Sequence, residues 1–298
     1  MTERWVGIDA GYSQMTIAVL DAGVNVVAIE HTREPLGDGH EKAAAIARLQ
    51  SLLKRLSNFN HVPVRIAGYC YEHSGVLQAF KEAGWIVEGC EALNDVVGFY
   101  GLTEMKGNAI VGGCGSFSQV VYISPENDIC WPGEDVVAEL PDWLLSGWDY
   151  ATFLLDLSKR EEYGELAWLP KVVRETLGGE TLESSGHRWS YLGPLLVRML
   201  GQTEVKHFFA KAVENIVKTR SILGQYITVP EAPRLVLGGG AVREDSLWAV
   251  VSDELRKQGV IDVVRVQGEP AVGLVRFANY NPNVDAWSFI GLKRPSWL

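Results

Sequence analysis

The chain is 298 residues long, with 47% hydrophobic and 21% charged side chains and a net charge of −10. That much apolar material fills one large domain or two of ordinary size and excludes a disordered chain. The acidic balance argues against a nucleic-acid surface, and no apolar run approaches the roughly 20 residues that cross a bilayer.

The N-terminus, Met1-Thr2-Glu3-Arg4-Trp5, lacks the basic start and apolar core of a signal peptide, so a cytoplasmic protein is expected. Arg4 to Ile8 is apolar enough for a buried strand, and Met15 to Leu20 resumes one at once. Asp9 to Gln14 is therefore a hairpin connection with Gly11 inside it. Asp9 stands where the first strand stops, a place from which a carboxylate can hold a magnesium ion through water. The same composition also suits an ordinary hairpin turn. A third strand spans Val24 to Glu30, and residues 30–40 are a charged, glycine-bearing loop. Glu41 to Leu56 is an amphipathic helix with Ala45, Leu49, Leu52 and Leu53 toward one face. Val64 to Cys70 reads as a strand, Ser74 to Ala83 as a helix and Trp85 to Val87 as a strand. Glu72 and His73 fall on the loop after Cys70 and are weak candidates for the cleft. Leu93 to Tyr100 is helical, with Asn94 and Asp95 at its start. Such residues are preferred helix caps; an aspartate beside a cleft is also a general base.

The second half opens like the first. Asn108 to Val111 is a strand, and Gln119 to Ile123 leads out again. Gly112 to Ser116 between them is too glycine-dense for a strand interior and reads as a turn. This is the sole sign of internal duplication. A helical block from about Trp148 to Leu200 is broken at Pro170, Gly178-Gly179 and Gly193-Pro194. Thr203 to Leu223 is a long helix. Pro233 to Leu237 is a strand, Gly238-Gly239-Gly240 follows, and Glu244 to Gln258 is a helix. Glycine turns let backbone N–H groups approach an anion closely, and three of them suggest a nucleotide held between two halves. The contiguous triplet is not a Gly-x-Gly-x-x-Gly fingerprint, and no P-loop sequence is present. Trp131, Trp143 and Trp148 crowd one region, as packing or an oligomer surface, or else as a wall for a sugar face. Cys70, Cys90, Cys114 and Cys130 have no paired spacing, so reduced and mostly buried thiols are expected.

In order, Asp9-Ala10-Gly11-Tyr12-Ser13, Asn94-Asp95-Val96-Val97-Gly98, Gly113-Cys114-Gly115-Ser116, Gly238-Gly239-Gly240-Ala241-Val242 and Glu269-Pro270-Ala271-Val272-Gly273 resemble the motifs of the sugar kinase, heat-shock ATPase and actin superfamily. Within it the chain is most similar to the BadF/BadG/BcrA/BcrD ATPase group, which includes the N-acetylglucosamine kinases. The resemblance covers nearly the whole length. It implies an α/β fold of two ribonuclease-H-like domains, residues 1–105 and 106–298, flanking a nucleotide cleft, with the last helix packing back on the first domain. It implies ATP and magnesium, with Asp9 on the metal. Gly11, Tyr12, Ser13, Gly113, Cys114, Gly115, Ser116, Gly239, Gly240 and Ala241 would then line the nucleotide. Asp95 would be the catalytic base, and Asn94, Gly39, Ser146 and Gly147 would bind a small-molecule acceptor, a sugar. The resemblance admits a homodimer. Gly115 is expected in a conformation that tolerates a side chain poorly.

The departures are as specific. Where the kinases carry Gly-Asp-Glu-Gly-Ser-Gly, this chain has Asp142-Trp143-Leu144-Leu145-Ser146-Gly147, and only the Ser-Gly is kept. Arg33-Glu34-Pro35 replaces the asparagine expected before Gly39-His40-Glu41-Lys42-Ala43. Asp135 and Asp149 are the acidic residues nearby that could stand in for the lost pair. The expected activity is an ATP-dependent sugar kinase; the alternative is a nucleotide-binding regulator with a degenerate sugar site.

Overall fold

A computed structural model describes residues 4–11, 14–32, 42–68, 73–160, 166–179, 181–182, 191–227, 231–286 and 288–293. Its first sheet joins β1 (Arg4–Ala10), β2 (Met15–Leu20), β3 (Val26–Thr32), β4 (Val64–Gly68) and β5 (Val87–Glu91) in the order β3-β2-β1-β4-β5. Its second joins β6 (Ala109–Cys114), β7 (Ser118–Ile123), β8 (Ile129–Pro132), β9 (Arg234–Gly238) and β10 (Val263–Val266) in the order β10-β9-β6-β7-β8. A short β11 (Ser288–Ile290) lies parallel to β8 at its edge. In each sheet the first three strands pair antiparallel, and the central strand pairs parallel with the fourth, and the fourth with the fifth. The second sheet therefore repeats the first strand for strand.

The helices are α1 (Lys42–Arg55), α2 (His73–Glu82), α3 (Asp95–Gly101), α4 (Glu134–Val137), α5 (Gly147–Ser158), α6 (Leu169–Leu177), α7 (Gly193–Arg198), α8 (Thr203–Tyr226), α9 (Asp245–Lys257) and α10 (Pro270–Tyr280). Alternation along the strands sends side chains to two faces. On one face of the first sheet, Ile8 and Ile17 pack with Leu49, Leu52 and Phe80 of α1 and α2. On one face of the second, Ile110 and Leu237 pack with Tyr150, Phe209 and Leu255 of α5, α8 and α9. The remaining two faces share one core. Trp5 and Leu20 from the first sheet and Val111 and Val236 from the second close on Val97, Tyr100, Leu274 and Phe277 of α3 and α10.

That shared layer is held by backbone against backbone. A Cβ added at Gly7 would lie 1.8 Å from the Ala271 carbonyl oxygen, and one at Gly98 would lie 2.4 Å from that of Pro270. One at Gly101 would lie 1.9 Å from the Gly273 oxygen, and one at Gly273 would lie 1.8 Å from the Gly98 oxygen. Glycine is required there by the approach of α3, α10 and β1, not by turn geometry.

Three expectations are corrected. Gly112, Gly113 and Cys114 belong to β6 rather than to a turn. Rings supply what the glycines lack: Trp143 lies over Gly112 and Phe99 over Gly238, where added Cβ atoms would come within 2.0 and 2.2 Å of ring carbons. Pro170 and Gly193-Pro194 open helices instead of breaking them, because proline fits the first helical turn, where no N–H partner is needed. The fifth strand starts at Val87, not Trp85, whose ring is buried edge-on against Phe80 at 5.6 Å. Of the thiols, Cys114 is buried and Cys90 and Cys130 are half-buried; Cys70 lies outside the described residues.

An alanine replacing glycine inside an ordinary helix stabilises by roughly 0.5–1 kcal/mol. At Gly273 the sign should reverse. Gly273→Ala is expected to cost about 1–3 kcal/mol, as overpacking does. Urea unfolding measures it, and a variant as stable as the parent would show that the two helices do not meet this closely.

Candidate functional site

The shared layer fixes where three carboxylates come within range of one another's charge. Asp9 is the penultimate residue of β1, on the same face as Gly7, the face that α10 covers. It is only 7% exposed. Asp95 is the first residue of α3, and Glu269 immediately precedes α10. The glycine crossing thus brings two helix starts to the end of β1. Burial raises the Asp9 pKa well above its ordinary value. The like charges of Asp95 and Glu269 raise it further, and the Gly11 amide opposes them by hydrogen bonding. Burial also raises Asp95, opposed by the Val96 amide. Among the described residues none of the three has an ion-pair partner. Buried acid without a counter-cation suits a divalent ion. The described residues do not group three ligands closely enough to cage a metal, so water and a ligand's phosphates would complete its shell, as magnesium prefers.

The second and third glycine segments meet each other, and Gly113 lies against Val96, the residue after Asp95. Gly239 has φ +111°, and its missing Cβ would lie 2.5 Å from the Cys114 carbonyl oxygen. Gly68 closes β4 in the same way, at φ +112° and 2.2 Å from the Ile8 oxygen, so the repeat extends to the backbone detail. Packing or φ accounts for Gly112, Gly238 and Gly239. Neither accounts for Gly115 and Gly240, where an added Cβ meets nothing within 4 Å. The expectation that Gly115 tolerates a side chain poorly is thereby corrected, since its φ is ordinary and the space beside it is open. The Gly147 and Trp148 amides, at the start of α5, donate to the carbonyls of Gly115 and Ser116 at 2.9 and 3.1 Å. A trans peptide points its N–H opposite its C=O, so the Ser116 and Phe117 amides face away from α5. Among the described residues the Gly115 and Ser116 amides donate to no acceptor. Unpaired amides beside open space form an anion cradle.

Other candidates are placed as follows. Asn94, not Asp95, caps α3: its Oδ1 accepts from the Val96 amide at 3.0 Å. Asp95 accepts from the same amide at 3.0 Å. Ser146 is 1% exposed, and its hydroxyl is committed to a capping box with Asp149, donating to Oδ2 at 2.5 Å. Asp149 is therefore a cap rather than a replacement acid, and Asp135 accepts from the Leu292 and Lys293 amides at 2.8 and 3.0 Å. Burial, with the Asp149 charge behind it, pushes the Cys114 thiol up to about 12, so it is no nucleophile. Trp131 and Trp143 are buried, donating to Ala286 and to Thr219. Tyr12, Ser13, Gly39 and Glu72 lie outside the described residues. Sequence reasoning assigned no role to Glu269 or Tyr150. An acidic residue just before a helix-opening proline is the signal that singles out Glu269.

No protein-family model and no curated protein sequence matches the chain. Solved structures do match its fold. A candidate N-acetylglucosamine kinase from Porphyromonas gingivalis has a TM-score of 0.65 at 14% identity, over 94% of this chain and 99% of that one. A ROK-family glucokinase from Streptomyces griseus, solved with glucose and AMPPNP, has a TM-score of 0.60 at 14% identity, over 93% and 98%. A ROK-family transcriptional regulator, a homologue of the E. coli MLC protein, has a TM-score of 0.57 at 11% identity, over 94% and 79%. The likeness is one of fold, the two-sheet actin-like ATPase architecture of the ROK sugar kinases.

The buried acid has a measurable signature. Because the folded-state pKa of Asp9 is raised, the unfolded chain ionises near 3.8 while the native protein still holds its proton. Stability therefore falls as pH rises through that interval. Asp9→Asn removes the penalty, so the ligand-free variant should melt higher at neutral pH and decline less steeply with pH. Thermal melts of both proteins across the acid-to-neutral range check it; parallel curves would refute the uncompensated charge.

Proposed function

We propose that this protein is an ATP-dependent kinase acting on the hydroxyl of a sugar, in the manner of the N-acetylglucosamine kinases of the BadF/BadG/BcrA/BcrD group. The observation that carries the reading is the junction itself: a cation-seeking acid at Asp9, an unpaired amide cradle at Gly115 and Ser116, and an aspartate, Asp95, at the same helix crossing. The fold shared with a glucokinase solved with glucose and AMPPNP supports it.

Phosphoryl transfer asks mainly for positioning and charge stabilisation. Bound magnesium would supply neutralisation of charge on the β- and γ-phosphates. Asp9 would hold it, with Glu269 adding field from the start of α10. The amides of Gly115 and Ser116 would grip phosphate oxygens, and Gly239 to Ala241 would border the adenosine, with Gly240 leaving room for close approach, while the Gly11 amide stays on the Asp9 carboxylate. Asp95, its pKa raised by burial, would take the proton of the acceptor hydroxyl. The two halves, residues 1–105 and 106–298, would exclude water on closing. Tyr12 and Ser13 complete the first phosphate loop in this reading, and Gly39 belongs to the acceptor side.

One observation favours a second reading. Ser146, the kept part of the sugar-side motif, is buried in a helix cap, and a transcriptional regulator shares the fold. A nucleotide-binding regulator with no sugar turnover would fit both. A coupled assay of ADP release over a sugar panel separates them, since acceptor-dependent turnover belongs to the kinase alone.

Two variants sharpen the test. Gly115→Val should fold like the parent, because the site is open, yet lose ATP binding by calorimetry; normal binding would remove the cradle from the site. Asp95→Asn should keep ATP affinity and lower turnover by about 10²–10⁴-fold. Unchanged turnover would take Asp95 out of the chemistry.

A further inference from the structure

The two glycine segments of the second sheet are held by a single helix. The start of α5 takes the Gly115 and Ser116 carbonyls at 2.9 and 3.1 Å. Less than one turn further on, the Tyr150 hydroxyl donates to the Ala241 carbonyl at 3.0 Å. The start of α5 is itself pinned. The Ser146–Asp149 capping box closes its first turn, Asn215 of α8 donates to the Asp142 carbonyl at 2.6 Å, and Trp143 donates to Thr219 of α8 at 2.9 Å. Tyr150 is 2% exposed and sits against the rings of Phe208 and Phe209 at 6.0 and 5.8 Å. Phenylalanine would fill that space equally well, and a buried hydroxyl is costly unless bonded. The hydroxyl therefore has one evident use, which is to hold Ala241.

We propose that Tyr150 is a positioning residue that fixes the spacing between the phosphate cradle at Gly115–Ser116 and the Gly239–Ala241 segment. Because α5 grips both, the site is matched to a ligand carrying phosphates and a nucleoside at a set distance, and discriminates it from inorganic polyphosphate. The inference rests on the nucleotide reading above. It differs from it in assigning specificity to a residue that touches no ligand.

The test uses Tyr150→Phe in the full chain, with two readouts. In the ligand-free protein, hydrogen exchange at the Val242 and Arg243 amides should speed up, while the 114–118 hairpin keeps its parental exchange. Calorimetry with Mg-ATP and with magnesium tripolyphosphate then compares the ligands. Tyr150→Phe should weaken ATP by about tenfold, the worth of one buried hydrogen bond, and leave tripolyphosphate unchanged. Ser146→Ala, which loosens the start of α5, should weaken both. Equal effects of Tyr150→Phe on the two ligands, or unaltered exchange at Val242, would overturn the inference while leaving the nucleotide reading in place. A parent that binds neither ligand would overturn both.

Discussion

The candidate site depends on two helices and a strand meeting without side chains between them. Gly7, Gly98, Gly101 and Gly273 each place the spot where a Cβ would sit within 2.4 Å of a carbonyl oxygen of a neighbouring element. Because α3 belongs to the run after the first sheet and α10 to the run after the second, their crossing joins the two sheets at one point. It also decides which residues face each other there. The caps of both helices, Asn94 and Glu269, stand four residues before Gly98 and Gly273 respectively. The crossing therefore brings Asp95 and Glu269 to Asp9 as a consequence of helix geometry.

That arrangement works against stability. Two carboxylates raise the pKa of a third that is already desolvated, with no cation among the described residues to offset them. Proteins keep such conflicts where function needs them. Several polar groups around it are paired instead: Asn94 and Ser146 cap helices, Asp135 collects two amides, and Trp143 finds Thr219. A buried acid set against like charges is what marks this junction more clearly than any single residue does.

Much of the fold was legible in the residues because strands and helices announce themselves by local periodicity. The hairpins around Gly11 and Gly115 and the long helix from Thr203 follow from patterns a few residues wide, whereas the closing helix after Pro270 is implied only by the resemblance. What failed was long-range. Gly112 and Gly113 look like a turn because nothing nearby shows that Trp143 and Phe99 will cover that strand and its neighbour. Tyr150 and Ala241 lie 91 residues apart, so no window contains their bond. Glu269 reads only as the residue before a helix until the crossing sets it opposite Asp9. Gly115 misleads for the opposite reason: its motif suggests a strained backbone, whereas its φ is not in the left-handed region and the space beside it is open.

The position of α10 also sets an order of events. Its residues 270–280 pack on β1, β2 and β4, roughly 200 to 270 residues behind the strands they cover. A chain made from its N-terminus completes the first sheet early, with one face already roofed by α1 and α2. The other face, with Trp5, Ala18, Leu20 and Ala67, stays wet until residues 270–280 have left the ribosome. An apolar sheet surface left open that long is a target for misassembly. The last helix is thus the step that makes the earliest-born part of the molecule safe, and a nascent chain stalled before residue 270 would present a sticky half-finished face to the chaperones around it.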